Sequence, residues 1–275
     1  MLKSVTDVAS RLEYWTMRSL RRATPQILVD FLLDRGIYLK PGLDTAAPLR
    51  LAHRYRDKAT ALGHPIEGAE LLVVGFGGSL GIGIHLLELG ASRVVLQDPF
   101  APPRHKRIGE LPAELRRKYL DADGQPRGPQ LTVRREHLDS LADEADSFDL
   151  IVSNSVLEHV GDLGAIARGC RLVMKPGGLC LHCVDLRDHY FRYPFEMLCY
   201  SDEVWDRWLN ASNNLNRLRM PDYRRVFAEY FERIVVEPVE WLHDEFAAYK
   251  PRIRPEFLTG NDSDDAAITI WVQAS

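Results

Sequence analysis

Residues 71–83, with the sequence LLVVGFGGSLGIG, constrain the fold more than any other part of this chain. The first four of them are continuously apolar, as in a central parallel strand that is covered on both faces. Gly75, Gly77 and Gly78 then permit a sharp turn and a close approach of the backbone to a ligand, because glycine has no Cβ atom. The segment therefore predicts a strand, a tight turn and a helix in succession.

Similar apolar runs recur along the chain and alternate with helical patterns. The apolar runs are residues 93–97, 131–133, 148–153 and 179–184, and the helical patterns are residues 80–89 and 163–174. This alternation predicts an α/β fold with an open, doubly wound and mostly parallel sheet of the Rossmann-like kind. Two later runs, 234–241 and 267–272, predict an antiparallel edge pair that brings the sheet to seven strands.

The sequence predicts two additions to this domain, a cap at the N-terminus and an insertion after the fifth strand. Helical patterns in residues 5–15, 24–36 and 48–63 predict a helical N-terminal cap over residues 1–65, and the third pattern has the apolar stripe Leu49, Ala52, Tyr55, Ala59 and Leu62. Residues 66–275 would then form the main domain. Within it, residues 185–223 are too long for an ordinary connection and are rich in aromatic side chains, which predicts an inserted lid over a substrate.

Composition limits the classes of partner. A formal net charge of −4 argues against a protein that coats nucleic acid. No apolar run approaches the roughly 18 residues that a membrane span needs, and the N-terminus lacks the apolar core of a secretory signal. Four cysteines in 275 residues do not make a disulfide framework. We therefore expect a cytoplasmic globular protein with a small-molecule partner, no nucleic acid and no membrane.

A carboxylate follows the glycine turn at a meaningful spacing. Asp98 ends the next apolar run, about 20 residues on, and its two oxygens suit the two hydroxyls of a ribose. A nucleoside cofactor is therefore expected. One class with such a turn is the NAD(P)-dependent oxidoreductases, since Gly77, Gly81 and Gly83 resemble the loop of short-chain dehydrogenases. Against this class, no Tyr-x-x-x-Lys occurs in the chain, and Leu80 stands where GxGxxG would have its third glycine.

Four motifs follow one another in a specific order. They are VVGFGGSLG (73–81), the acid in VVLQDP, SFDLIVSNSVLEHV (147–160) and RLVMKPGGLCL (171–181). Together they resemble the class I S-adenosylmethionine-dependent methyltransferases of the small-molecule type, over residues 71–181. The resemblance implies methyl transfer from S-adenosylmethionine to a small organic acceptor, with oxygen favoured over nitrogen or carbon.

The resemblance also implies a role for each matching residue. By position, the methionine part of the cofactor would lie over Gly75, Phe76, Gly77 and Gly78, and its ribose would bind Asp98. The adenine would lie beside Pro99 and Phe100, with its edge at Glu136, His137 and Leu138. The transferred methyl group would lie near Asn154 and Ser155. Two positions depart from the family pattern. His137 replaces a common aspartate at the adenine edge. Val73 replaces a usual acid, so a non-catalytic relative of the family stays open as an alternative.

Two histidines are candidates for the base that an oxygen acceptor needs. His159 follows the fourth strand and His189 follows the fifth, where ligands gather in such sheets. The alternatives are that His159 only covers the sheet and that His189 is a solvated loop residue. No metal ligand is expected, because Cys180 and Cys183 lie three apart on a strand and point to opposite faces.

Overall fold

The computed structural model describes residues 8–24, 47–102, 105, 108–190, 192–210 and 215–275. The helices of seven or more residues are α1 (Val8–Ala23), α2 (Pro48–Ala61), α3 (Gly81–Glu88), α4 (Ala113–Tyr119), α5 (Leu163–Val173), α6 (Met220–Phe227) and α7 (His243–Tyr249). The strands are β1 (Glu70–Val74), β2 (Arg93–Gln97), β3 (Leu131–Arg134), β4 (Phe148–Asn154), β5 (Met174–Asp185), β6 (Ile234–Trp241) and β7 (Ala267–Ala274). The helix predicted over residues 24–36 lies outside the described residues, apart from Thr24.

The seven strands form one sheet in the order β3-β2-β1-β4-β5-β7-β6. β1 to β5 are parallel, and β7 runs antiparallel to both of its neighbours. The predicted doubly wound, mostly parallel sheet is therefore confirmed. The last two strands do pair with each other, but β7 is inserted between β5 and β6, so only β6 lies at the edge.

The sheet is covered on both faces, which explains its continuously apolar strands. In β1, Leu71 and Val73 face a core shared with α2 and α3, whereas Leu72 and Val74 face a core shared with α5 and α6. Successive side chains of a strand point to opposite faces, so both sets must be apolar when both faces are buried. The strand order brings the carboxyl ends of β1, β2, β4 and β5 to one edge.

The buried face of α2 and the boundary between α5 and β5 differ from the sequence prediction. Leu49 and Leu62, at the ends of the predicted stripe of α2, are 50% and 37% exposed, and Leu51 is buried instead. Leu49 and Leu51 are two positions apart and therefore lie on nearly opposite sides of a helix, so only one of them can face the sheet. The second difference is that α5 ends at Val173 and β5 already begins at Met174.

The N-terminal helix α1 packs on the segment that follows β5. A third apolar cluster joins Tyr14 of α1 to side chains of the lid and of α7, including Phe195, Trp205 and Phe246. In contrast, α2 belongs to the core on one face of the sheet. No helix among the described residues is long and apolar enough to cross a membrane.

Candidate functional site

The glycine turn after β1 has the backbone that the sequence predicts. Gly75, Gly77 and Gly78 all have positive φ angles, of 72°, 64° and 83°. A Cβ atom on Gly75 would lie 2.4 Å from Cγ2 of Val156, which follows β4. The turn therefore requires glycine at position 75 for two reasons, its φ angle and its contact with the end of the neighbouring strand.

The carboxylate of Asp98 faces this turn. The backbone N–H of Gly77 donates to its Oδ2 at 3.1 Å, and the N–H of Phe100 donates to its Oδ1 at 2.9 Å. The side chain is half-buried at the carboxyl end of β2. Asp98 and the glycine turn therefore form one unit, which has a carboxylate fixed beside a backbone that a ligand can approach closely.

The loop after β3 lies beside the end of β2. The side-chain amide of buried Gln97 donates to the carbonyl of Glu136 at 2.7 Å, and the rings of Phe100 and His137 lie 6.1 Å apart, edge to face. Phe100 is 86% exposed and Glu136 and His137 are also exposed. Leu138 differs, because the whole residue is buried against Gly169 of α5 and is 2% exposed.

Two residues of the glycine motif point into the core. Phe76 is fully buried on the α3 face of the sheet, with its ring 6.4 Å from that of His105. Val73 is fully buried on the same face. The Phe76 ring therefore does not face the cofactor site, and Val73 brings no polar group to it. Burial lowers the pKa of His105, a neighbour of the turn that the sequence did not single out.

The end of β4 lies next to β1 and β5. Asn154 is buried and its amide donates to the Ser155 hydroxyl at 3.2 Å. Ser155 has a φ angle of 54°, in the left-handed region that non-glycine residues rarely adopt, and its N–H donates to the carbonyl of Cys183 in β5 at 2.9 Å. Such strained backbone is typical of functional sites that the surrounding structure holds in place.

The two candidate histidines lie side by side. The rings of His159, in the turn after β4, and His189, four residues after β5, have their centroids 4.7 Å apart. Burial, with the nearby His159, lowers the pKa of His189 to about 4, against the opposing charge of Asp185. The His189 imidazole is therefore neutral at pH 7 and is a weaker base than a solvated histidine.

The lid holds the turn that carries His159. The side-chain amide of Asn216 donates to the carbonyls of Leu157 and Val160, at 2.7 and 3.2 Å, and its backbone N–H donates to the carbonyl of Glu158 at 2.9 Å. Asn216 thus positions this turn across 56 to 59 residues of sequence. This contact could not be predicted from the sequence, since an asparagine in a long loop has no recognisable pattern.

A buried ion pair fixes α1 to the start of the lid. Arg18 pairs with Asp188, and both side chains are almost fully buried. The Tyr14 hydroxyl donates to the other oxygen of Asp188 at 2.6 Å, and the Arg18 guanidinium also donates to the carbonyl of Leu209 at 3.2 Å. Asp188 directly precedes His189 in the sequence, but its carboxylate bonds to Tyr14 and Arg18 of α1.

The arginines and aromatic side chains of the lid mostly support the lid itself. Arg217 and Arg219 are buried and donate to backbone carbonyls, and Arg187 pairs with Asp185 at 2.7 Å. Most aromatic side chains of residues 190–208 lie in the cluster with α1. The structure therefore favours a packing role for them over the contact with an acceptor that the sequence suggested.

The residues at this edge fit the cofactor that the motif order implies. Three positive φ angles leave the turn open to a close ligand, and Asp98 presents a carboxylate beside it. The exposed Phe100 and the loop at Glu136 and His137 flank the same end of β2. This arrangement suits a nucleoside whose sugar carries two free hydroxyls.

Comparison with known proteins agrees with this fit. A family model described as a methyltransferase domain matches residues 50–233. A ubiquinone biosynthesis O-methyltransferase from Cereibacter sphaeroides (strain ATCC 17029 / ATH 2.4.9) is 30% identical over 187 residues, which cover 64% of this chain and 68% of that protein. The protein of the same name from Methylobacterium sp. (strain 4-46) is 28% identical, and the match spans 50% of this chain and about half (55%) of the relative.

Solved structures are similar at lower identity. An S-adenosylmethionine-dependent methyltransferase from Mesorhizobium loti is 20% identical, with 85% of this chain and 99% of that chain covered and a TM-score of 0.47. The family match covers the glycine turn, Asp98 and both histidines. This chain therefore belongs to the S-adenosylmethionine-dependent methyltransferase family.

Proposed function

We propose that this methyltransferase methylates the hydroxyl oxygen of a small organic acceptor and that His159 and His189 serve the proton transfer. The paired rings at the carboxyl ends of β4 and β5 carry the proposal. An oxygen acceptor must lose its proton as the new bond forms, whereas many nitrogen acceptors need no base. The name of the Cereibacter relative, an O-methyltransferase, supports the same chemistry.

The chain's own residues divide the work of binding and reaction. Asp98 and the N–H-lined turn at Gly77 would hold the cofactor, and Asn154 and Ser155 would lie towards its reactive end. When bound, S-adenosylmethionine supplies a methyl group already activated on a sulfonium. The protein then has mainly to align the acceptor and to accept its proton, which is catalysis by positioning together with a base.

The histidine pair is suited to holding one proton. Charge on one ring disfavours protonation of the other, and His159 lowers the pKa of His189 in this way, in addition to burial. The pair therefore holds one proton much more readily than two. Asp185, which favours the protonated form of His189, would stabilise the charge that develops there.

Removing the base is expected to slow turnover strongly. His159→Ala and His189→Ala should be measured separately, and the variant that lacks the base should lose about 10²–10⁴-fold in kcat. Binding of S-adenosylhomocysteine should be unchanged in both, because neither histidine belongs to the proposed cofactor site. His243→Ala, an exposed histidine after β6, is the control. Unchanged turnover in both variants would exclude a histidine base.

Loss of the Asp98 carboxylate is expected to weaken cofactor binding. Asp98→Ala should raise the Kd for S-adenosylhomocysteine by an amount equivalent to about 1.5–3 kcal/mol, as for hydrogen bonds to a charged group. Calorimetry measures this effect, with Asp123→Ala, an exposed acid in the loop after α4, as the control. An equal Kd in the Asp98 variant and the wild type would mean that the ribose binds elsewhere.

The acceptor can be identified by labelled methyl transfer. Because the relatives are named for ubiquinone biosynthesis, hydroxylated precursors of ubiquinone are the first acceptors to test, beside simple phenols and matched aromatic amines. Incorporation into hydroxyl but not amine acceptors is the expected result, and methylation of amines alone would contradict the proposal.

Binding of NAD(P) in place of S-adenosylhomocysteine would contradict the whole assignment. A location in the cytoplasm remains a prediction from composition.

A further inference from the structure

A group of cysteine and histidine side chains lies inside the core, beneath α5 and away from the proposed reaction site. Cys170 of α5 and Cys180 and His182 of β5 are all completely buried. Their two sulfur atoms and one imidazole nitrogen lie within 4.8 Å of one another, with Sγ of Cys170 3.9 Å from Nε2 of His182. In a tetrahedral zinc site with Zn–S of about 2.3 Å and Zn–N of about 2.0 Å, such atoms are roughly 3.5–3.8 Å apart.

The imidazole of His182 is already oriented as a metal ligand. Its Nδ1 lies 2.7 Å from the hydroxyl oxygen of Ser153 in β4, which directs Nε2 towards the two cysteines. Histidines that ligate metals usually have such a partner on the second ring nitrogen, which fixes the orientation of the ring. Ser153 is itself completely buried, so this partner cannot exchange with water.

The soft-ligand environment extends beyond these three side chains. The thioether of Met174 lies 3.8 Å from Sγ of Cys180 and adds a third soft sulfur beside the group.

Charge balance selects the ion. Two thiolates and one neutral imidazole with a divalent cation make a group of zero net charge, which a fully buried position tolerates better than any charged combination. Thiolate and imidazole ligands suit zinc, whereas magnesium and calcium prefer oxygen ligands. Binding would release two thiol protons, one from each cysteine.

We propose that Cys170, Cys180 and His182 bind a structural zinc ion that ties α5 to β5. The ion would enter as the chain folds, because the site lies in the core between the helix and the sheet. The site is independent of the proposed acceptor chemistry, so the two proposals can fail separately.

Metal analysis of the purified, tag-free protein tests the proposal. Protein made in zinc-supplemented medium should contain about one zinc per chain, and Cys170→Ser or Cys180→Ser should lose most of it. Cys183→Ser is the matched control, since this buried cysteine lies on the opposite face of the same strand, and it should keep its zinc. Binding of S-adenosylhomocysteine reports that each variant is folded.

A second measurement needs no variant and so does not depend on their folding. A mercurial reagent that reacts with thiols should release the zinc of the wild-type protein, which an absorbing chelator then detects. Refolding in Co²⁺ should produce the near-ultraviolet absorption of thiolate–cobalt charge transfer. The proposal is overturned if the wild type contains no zinc, contains copper instead, or shows a Cys170–Cys180 disulfide with no cobalt absorption.

Discussion

Asp188→Ala is expected to lower the free energy of unfolding by about 3–5 kcal/mol, the range found when one partner of a buried ion pair is removed. The change leaves the Arg18 guanidinium, 3% exposed, without its carboxylate. It also removes the acceptor of the Tyr14 hydroxyl. Because both partners lie on α1, the loss should appear first as detachment of this helix from the lid.

Chemical denaturation and limited proteolysis measure this effect. Arg192→Ala is the matched control, since Arg192 forms an exposed pair with Glu13 between the same helix and the same segment. Exposed pairs contribute about 0–1 kcal/mol, so this control should change little. Replacing both buried partners, as Arg18→Met with Asp188→Leu, should cost less than Asp188→Ala alone. Equal effects of the buried and exposed single variants would contradict the structure.

Gly75→Ala is expected to lower the free energy of unfolding by about 2–5 kcal/mol. A left-handed backbone costs a residue with a Cβ atom about 1–2 kcal/mol, and overpacking adds roughly 1–3 kcal/mol. Here φ is 72° and the new methyl group would lie 2.4 Å from Val156. Because the turn also approaches the cofactor, S-adenosylhomocysteine should bind more weakly.

Two further variants separate the backbone cost from the contact. Gly63 has a φ of 84° and nothing within 4 Å of an added Cβ atom, so Gly63→Ala measures the backbone cost alone. In a double-mutant cycle, Val156→Ala should recover the part of the loss that is due to crowding. If Gly75→Ala costs no more than Gly63→Ala, the turn does not pack against the end of β4.

Local patterns predicted the sheet well. β2 and β6 have the predicted bounds, and β1 differs from its prediction by one residue. β1 and β2 were recognisable because both faces of the sheet are buried at its centre, so these strands are apolar along almost their whole length. The position of β7 between β5 and β6 was not predicted, because apolar runs do not specify which strands become neighbours.

In the candidate site, too, the individual residues were predicted but the contacts between distant residues were not. The sequence predicted the glycine turn and Asp98, and the structure brings them into hydrogen-bonding contact. It predicted His159 and His189 separately, and the structure places their rings side by side. The roles of these residues stay predictions until binding and turnover are measured. Asn216 was missed, because its contacts join positions that are distant in sequence.

The cysteines illustrate how a short motif misdirects. Cys180 and Cys183 form a CxxC whose members lie on opposite faces of β5, as the spacing predicts. The side chains that Cys180 does meet are Cys170, ten positions earlier, and His182, two positions later. A helix folded back on its neighbouring strand creates this group, which no spacing rule for metal ligands describes.

The sequence by itself determined the fold class, the glycine turn and the position of Asp98 after the second strand. Apolar periodicity and glycine spacing act over short stretches of backbone, so they can be recognised without the tertiary structure. The tertiary structure alone decided which side chains meet. It joined α1 to the lid through Arg18 and Asp188, and it placed the two histidines together. Such contacts depend on the order of strands and the paths of long loops, which the packing of the whole chain fixes and local propensity does not.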